Sequence, residues 1–356
     1  MVRILSFVGT RPEIIKSLAF HRAAKNIPEL EILFLHTGQN FGQTMADCFW
    51  EGLEIPLTES NPNFKHETPG AIAGSLLDYM TSKIDEYKPD VVISNTDTHS
   101  AFYAAMAAAN RKVPVAHFEG GIRCEVRTNP EEINRRLADH LSDWIFPIAD
   151  GDVQFLINEG ISKDKIFNLG DITLDALNIV LKEHDIVPQS GDYDLLTTHR
   201  QENTNDPKRL ARILKGVADA GHKTVFPVHP RTRQMLDSGL PAEALKQATN
   251  IEILPPQGYV DMVRLAAGCR KVITDSGGLR REAYMLGKPV ISLVWFVWFK
   301  EMLKLGFKKS VGADSEKITD AILNFNPQGE RPPLFGDGNA AERILRKIIE
   351  KVSDEA

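Results

Sequence analysis

Short apolar, β-rich runs alternate along this chain with longer stretches of helical periodicity, and they do so in two separate series. That alternation is the signature of βαβ units, and it implies an α/β protein with parallel sheets covered by helices on both faces. The first series has expected strands near residues 3–8, 31–36, 90–94, 113–118, 144–147 and 166–169, with helical segments such as 14–24 and 101–109 between them. It predicts one Rossmann-like domain. The second restarts near 193–198, continues through 224–228, 251–254, 271–274 and 290–293, and predicts another. Periodicity breaks over 182–192, where Pro188, Ser190 and Gly191 stand, so the domains are expected at 1–185 and 186–339. A strongly amphipathic helix carrying Ile344, Leu345, Ile348 and Ile349 is expected over 340–356.

Composition narrows the function classes. With 356 residues, 42% apolar and 25% charged, the chain can bury two ordinary cores, which excludes disordered and fibrous readings. A net charge of -6 argues against a general binder of nucleic acid or of anionic membranes. Cys48, Cys124 and Cys269 are too few and too scattered for a disulfide framework and lack metal-ligand spacing, so reduced thiols in a cytoplasm and no metal are expected. The opening run to Gly9 reads as a first strand rather than a leader. The most apolar stretch, Val290 to Phe299, is interrupted by Ser292 and falls short of the ~20 residues of a membrane span.

Ligands of open parallel sheets bind beyond the carboxyl ends of the strands, so chemistry is sought there first. After the first strand comes Gly9-Thr10-Arg11-Pro12-Glu13, where Thr10 and Glu13 have capping-box spacing and Pro12 suits a first helical turn. Capping leaves Arg11 unexplained, a guanidinium at a helix N-terminus that already favours an anion. In the second series, Asp275-Ser276-Gly277-Gly278 precedes an expected helix and has the makings of a phosphate cradle, with Glu282 placed to accept from ribose hydroxyls. A ligand-free strand-to-helix turn accounts for the same glycines. Three acidic residues sit near strand ends: Asp97, which also suits an Asx turn; Glu119, which needs solvent, a basic partner such as Arg123, or catalytic use; and Glu131, which with Glu132 also serves a helix dipole. His199 and Arg200 end the first strand of the second series, and His229 ends the next. His199 is the stronger acid–base candidate and His229 a binding one.

Taken together, Gly9-Thr10-Arg11-Pro12-Glu13, His36-Thr37-Gly38-Gln39, His117-Phe118-Glu119-Gly120-Gly121-Ile122-Arg123, Pro130-Glu131-Glu132-Ile133-Asn134-Arg135, Thr198-His199-Arg200-Gln201-Glu202-Asn203 and Asp275-Ser276-Gly277-Gly278 resemble the non-hydrolysing UDP-N-acetylglucosamine 2-epimerases in order and spacing. The resemblance covers nearly the whole chain. It implies a glycosyltransferase-B-like fold with the active site between the domains and the final helix returning to the first. It implies interconversion of UDP-N-acetylglucosamine and UDP-N-acetylmannosamine, or of a related UDP-2-acetamido sugar, by elimination and re-addition of UDP through a 2-acetamidoglucal. No cofactor is expected, and a homodimer is the family expectation. By carry-over, Asp97, Glu119, Glu131 and His199 are catalytic, while Arg11, Lys16, Arg123, Arg200, His229, Ser276, Gly277, Gly278 and Glu282 bind the UDP-sugar.

Departures from the family pattern matter as much. Thr96 stands where a glycine is usual, and Asn40 where histidine often follows Gln39. Arg280 and Arg281 replace Gln-Glu beside the cradle, adding two positive charges that a sugar carboxylate would welcome. A Thr-Glu-Arg-Pro-Glu segment gives way to Leu293-Val294-Trp295-Phe296-Val297-Trp298-Phe299-Lys300-Glu301, which reads as core packing, a cover for the site, a reader of a modified sugar, or an interface. A UDP-sugar glycosyltransferase and a non-catalytic nucleotide-sugar sensor are the alternative functions.

Overall fold

The computed structural model describes residues 1–39, 52–65, 67–124, 126, 128–237, 239–295 and 298–355; Asn40, Cys48, Phe296 and Val297, singled out above, lie outside them. The chain divides into two compact units, one of Met1–Ile179 with Leu334–Ala356 and one of Val180–Pro333. In the first, β1 (Val2–Val8), β2 (Leu30–His36), β3 (Glu59–Ser60), β4 (Val91–Asn95), β5 (Val115–Phe118) and β6 (Trp144–Phe146) form a sheet in the order β3-β2-β1-β4-β5-β6. Every pairing in it is parallel, with Ile4 opposite Ile32 on one side and Val91 on the other.

The second unit has β7 (Asp194–Thr197), β8 (Thr224–Pro227), β9 (Ile251–Leu254), β10 (Val272–Thr274), β11 (Val290–Ser292) and β12 (Lys308–Ser310), ordered β12-β11-β10-β7-β8-β9 and again parallel. Counted from its own first strand, this is the same succession as in the first unit. Both are doubly wound Rossmann sheets. The strand order reverses between β1 and β4 in one and between β7 and β10 in the other, so the connections diverge to opposite faces and leave a crevice at those strand ends.

Burial follows from this architecture. Ile4, Leu5, Phe7 and Val8 of β1 are all fully buried because helices cover both faces of a parallel sheet. On one face Leu5, Phe7 and Val92 pack against Leu76 and Met80 of the helix Pro69–Tyr87 and against Ala104, Ala105 and Ala108 of the helix His99–Asn110. The second unit packs Leu196, Phe226, Ile273 and Ile291 against Leu210, Ile213 and Leu214 of the helix Pro207–Asp219. Each such Val, Leu, Ile, Met or Phe side chain contributes about 1.5–3 kcal/mol by leaving water.

Three strand expectations need correction. The run at 166–169 forms no strand; Ile166 makes one bridge to Ile145, since a 3-10 turn at Lys163–Lys165 delivers it late and Gly170, in the left-handed region, turns it away. β3 and β12 escaped notice because they are two- and three-residue edge strands made of Glu59-Ser60 and Lys308-Lys309-Ser310. Polar, short edges resist pairing with other chains, and for the same reason they carry no apolar signal. The final helix, Ala340–Glu355, packs against the helix Arg11–Ala24 in the first unit. No helix among the described residues is long and apolar enough to cross a membrane.

Candidate active site

In the first unit the loops leaving β1 and β4 meet at the reversal of strand order. Gly9 makes this possible, since a Cβ there would lie 2.1 Å from Ser100 Oγ and 2.5 Å from Thr37 Oγ1. Glu13, in the first turn of the helix Arg11–Ala24, bends back so that one carboxylate oxygen accepts from the Gly9 and Thr10 N–H groups at 2.7 and 2.8 Å. Its other oxygen accepts from Thr98 Oγ1 at 2.6 Å, across to the β4 loop. Burial drives the Glu13 carboxyl up to about 7, against the pull of Thr98, Gly9, Thr10 and Lys16. The capping residue of the sequence is therefore also the tie between two site loops.

Asp97 sits in that β4 loop between Thr96 and Thr98. Its carboxylate pairs with the Arg135 guanidinium, and its carbonyl accepts from Asn134 Nδ2 at 3.0 Å. Both partners belong to the helix Pro130–Leu141, which starts where Asn129 accepts from the Glu131 N–H at 3.0 Å and Pro130 needs no N–H partner. Glu131 therefore stands in the first turn of the same helix that grips Asp97. Its neighbour Glu132 turns inward instead and accepts from the Cys124 N–H at 2.8 Å. Glu119 is buried, and its carboxylate lies 2.6 Å from Lys16 Nζ. The basic partner supplied is Lys16; the Arg123 guanidinium is buried against Asp139 and Glu159 at 2.6 Å each. Thr96 and Glu119, at φ of 75° and 59°, both hold the left-handed conformation that non-glycine residues rarely adopt, a strain concentrated at functional sites. Arg11 occupies the first position of the helix Arg11–Ala24.

In the second unit the corresponding reversal is organised by Asp275. Its buried carboxylate accepts from Thr198 Oγ1 at 2.7 Å, from the His199 and Arg200 N–H groups at 3.1 Å, and from Asn203 Nδ2 at 3.0 Å. Burial pushes its pKa up, yet His199, Asn203, Thr198 and Arg200 outweigh that and hold it below the ordinary value. His199 presents a half-buried ring with Nδ1 3.4 Å from Asp275 Oδ1, and the His229 ring lies 5.5 Å away, centre to centre. Ser276 Oγ caps the next helix by accepting from the Leu279 N–H at 3.3 Å; Gly277 and Gly278 are its first residues, and space beside Gly278 is open. Glu282 accepts from Tyr259 Oη at 2.9 Å.

Trp298 and Phe299 of the aromatic segment belong to this cradle. Trp298 is buried, with the Arg200 guanidinium 4.5 Å from its ring centre and that of Arg280 at 5.4 Å, while Arg281 lies 5.3 Å from the Phe299 ring. Both added arginines are buried; Arg280 donates to the Ser276 carbonyl at 3.1 Å and to Ser292 Oγ at 3.3 Å. Lys308 of β12 donates to the Trp298 and Phe299 carbonyls, and burial, helped by Arg280 and resisted by Glu301, lowers its pKa to about 7. Trp295 is exposed. Among the described residues no three His, Cys, Asp or Glu side chains are grouped as metal ligands. The residues that sequence reasoning left out are Glu13, Asn134, Arg135, Asn203, Asp275 and Trp298. Trp298 lies in the aromatic segment singled out above and the others inside the quoted motifs, which was the available signal.

Comparison with known proteins adds independent findings. A family model described as UDP-N-acetylglucosamine 2-epimerase matches residues 22–349. The chain is 32% identical to the UDP-2,3-diacetamido-2,3-dideoxy-D-glucuronate 2-epimerase of Pseudomonas aeruginosa, over 98% of this chain and 99% of that protein. The crystal structure of Methanocaldococcus jannaschii UDP-GlcNAc 2-epimerase in complex with UDP-GlcNAc and UDP matches with a TM-score of 0.89 at 32% identity, covering 98% of this chain and all of that one. The apo form of a lipopolysaccharide outer core galactosyltransferase matches at 13% identity and a TM-score of 0.59, over 99% of this chain and 100% of that one, a likeness of fold alone and of glycosyltransferase-B type.

Proposed function

Because the chain belongs to the UDP-N-acetylglucosamine 2-epimerase family, we propose that it inverts C2 of UDP-N-acetylglucosamine or a closely related UDP-2-acetamido sugar. A base takes the C2 proton while the C1–O bond breaks and UDP leaves with its electron pair, giving a 2-acetamidoglucal. Re-addition of UDP to C1, with a proton delivered to the opposite face of C2, gives the epimer. No net oxidation occurs and no acceptor is consumed.

Such chemistry needs acid–base groups on both faces of C2 and donors for the departing diphosphate. Asp97, Glu119 and Glu131 of the first unit, with His199 of the second, are the acid–base groups in this reading. Arg11, Lys16, Arg200, His229, Ser276, Gly277 and Gly278 hold the nucleotide and sugar, and Glu282 the ribose. The observation that carries the reading is the gripping of Asp97 at both its carboxylate and its carbonyl beside a strained turn, an investment that solvent-facing loop carboxylates do not receive. Arg123, expected from the resemblance to bind the UDP-sugar, is instead engaged by Asp139 and Glu159, its side chain wholly buried, and acts only through them.

Proton NMR of UDP-N-acetylglucosamine with the protein in deuterium oxide, without acceptor or nicotinamide, tests this. The C2 proton signal is expected to vanish as manno anomeric signals grow, and Asp97→Asn or Glu131→Gln is expected to slow both by roughly a hundredfold or more. Absence of exchange in the wild type with neutral and acidic UDP-2-acetamido sugars alike sinks the reading. The Pseudomonas relative favours a second substrate class, a UDP-diacetamido uronic acid, and the same assay run on neutral and acidic sugars decides between them. The fold likeness to a galactosyltransferase supports no transferase reading by itself, since one fold hosts many chemistries. We further propose a cytoplasmic homodimer; a one-chain mass from light scattering would exclude the dimer.

A further inference from the structure

His117 of β5 is wholly buried and lies one residue from the end of its strand. Its Nδ1 is 2.8 Å from Asp139 Oδ1, and its Nε2 is 2.7 Å from the Thr96 carbonyl oxygen. A carbonyl oxygen only accepts, and Asp139, with its pKa held below the ordinary value by His117 and Arg123 against the cost of burial, is a carboxylate that also only accepts. Both ring nitrogens therefore face acceptors, and both must carry a proton to bond. The charge is balanced on the spot: Asp139 Oδ2 also takes the Arg123 guanidinium at 2.6 Å and the Gly121 N–H at 3.2 Å, and Arg123 meets Glu159. Gly120 admits the carboxylate, since a Cβ there would lie 2.5 Å from Asp139 Oδ1.

The Thr96 carbonyl belongs to the peptide that carries the Asp97 N–H. Fixing it fixes the plane on one side of Asp97, while Asn134 fixes the carbonyl on the other and Arg135 the carboxylate. Asn134, Arg135 and Asp139 all lie on the helix Pro130–Leu141, so one helix holds Asp97 directly at two points and, through His117, at a third. Thr96 adds the need. Where the resembled family usually has glycine, this chain keeps a β-branched residue at φ 75°, a conformation that persists only when its surroundings over-determine it.

We propose that His117 is a positioning residue for Asp97: a doubly protonated imidazole, with Asp139 as counter-ion, that clamps the Thr96 carbonyl and so holds the turn in its left-handed form. The proposal rests on the reading of Asp97 as an acid–base group. His117→Gln turns an amide oxygen toward Asp139, acceptor against acceptor, and so cannot keep its N–H on Thr96; C2–H exchange is expected to lose roughly tenfold or more in kcat, with KM and UDP affinity within about twofold. Adding Asp139→Asn supplies the missing donor and is expected to restore kcat, and adding Thr96→Gly to His117→Gln is expected to restore part of it by removing the strain. A role in stability alone predicts that all three variants lose melting temperature together, with no recovery of kcat, and that result overturns the proposal. So does wild-type kcat in His117→Gln. Nitrogen-15 spectra of labelled histidine read the clamp without turnover: both His117 ring nitrogens are expected to carry a proton, as the two acceptors facing them require, and one unprotonated nitrogen overturns it. A wild type that shows the doubly protonated ring but no C2–H exchange would sink the epimerase reading and with it the positioning role.

Discussion

The two units solve one topological problem with opposite electrostatics. At the reversal of each sheet a buried carboxylate ties the loop of the first strand to that of the fourth: Glu13 joins the β1 loop to Thr98, and Asp275 joins the β10 loop to Thr198, His199 and Arg200. Yet the pKa of Glu13 rises to about 7, whereas that of Asp275 falls. Burial acts on both in the same sense, so the donors decide. Asp275 has His199 at its side and an amide from Asn203 besides hydroxyl and backbone donors; Glu13 has hydroxyls and backbone N–H groups, with Lys16 adding least to its ionisation. Burying a carboxylate is thus compatible with either charge state, and the charge and kind of its donors select which.

The largest effect is expected on removing the tie that is held ionised. Asp275→Ala leaves the Thr198 hydroxyl, two backbone N–H groups and the Asn203 amide facing a void, which is expected to cost about 3–5 kcal/mol in chemical denaturation. A loss below about 1 kcal/mol would show that these donors find other acceptors and would break the parallel.

The second prediction concerns the sign of the pH response. Glu13, raised from its ordinary 4.5 to about 7, binds its proton more tightly folded than unfolded. Its stabilisation is complete below 4.5 and drains away as pH rises to about 7, by on the order of 3 kcal/mol. Glu13→Gln is expected to remove that slope from denaturation curves measured between these pH values. Asp275 works the other way: its contribution is present above 3.8 and is lost as pH falls below that. Equal slopes in wild type and Glu13→Gln would sink the contrast.

The smallest effect tests the guanidinium stacking in the second unit. Trp298→Leu removes the ring beside the Arg200 guanidinium, and UDP affinity by calorimetry is expected to weaken roughly fivefold, about 1 kcal/mol. Unchanged affinity would mean that the Arg200 Nε bond to the Asp275 carbonyl suffices to aim it.

What the amino-acid order disclosed is the set of strand ends. Apolar runs stopping at Gly9, Asn95, Phe118, Thr198 and Thr274 located every loop that now surrounds the candidate groups, because a doubly buried strand must be apolar throughout and must end where polarity resumes. Pairings were not legible. Asp97 meets Arg135 38 residues away, and Thr198 meets Asp275 77 residues away, separations that only strand order brings together. Glu13 was readable as a cap from local spacing, but its bond to Thr98, 85 residues on, was not. Arg280 and Arg281 looked like free positive charge beside a phosphate site; their burial against Trp298 and Phe299 depends on a segment whose role no periodicity could define.

One further consequence lies in the order of synthesis. The first unit is interrupted: its chain departs at Ile179 and resumes at Leu334, whereas the second is a single uninterrupted stretch. On a ribosome the Val180–Pro333 stretch emerges complete before the helix Ala340–Glu355 exists, and the helix Arg11–Ala24 must wait for it with one flank uncovered. The unit begun first is therefore finished last, and a chain truncated before Leu334 would release a whole second unit attached to an unfinished first one.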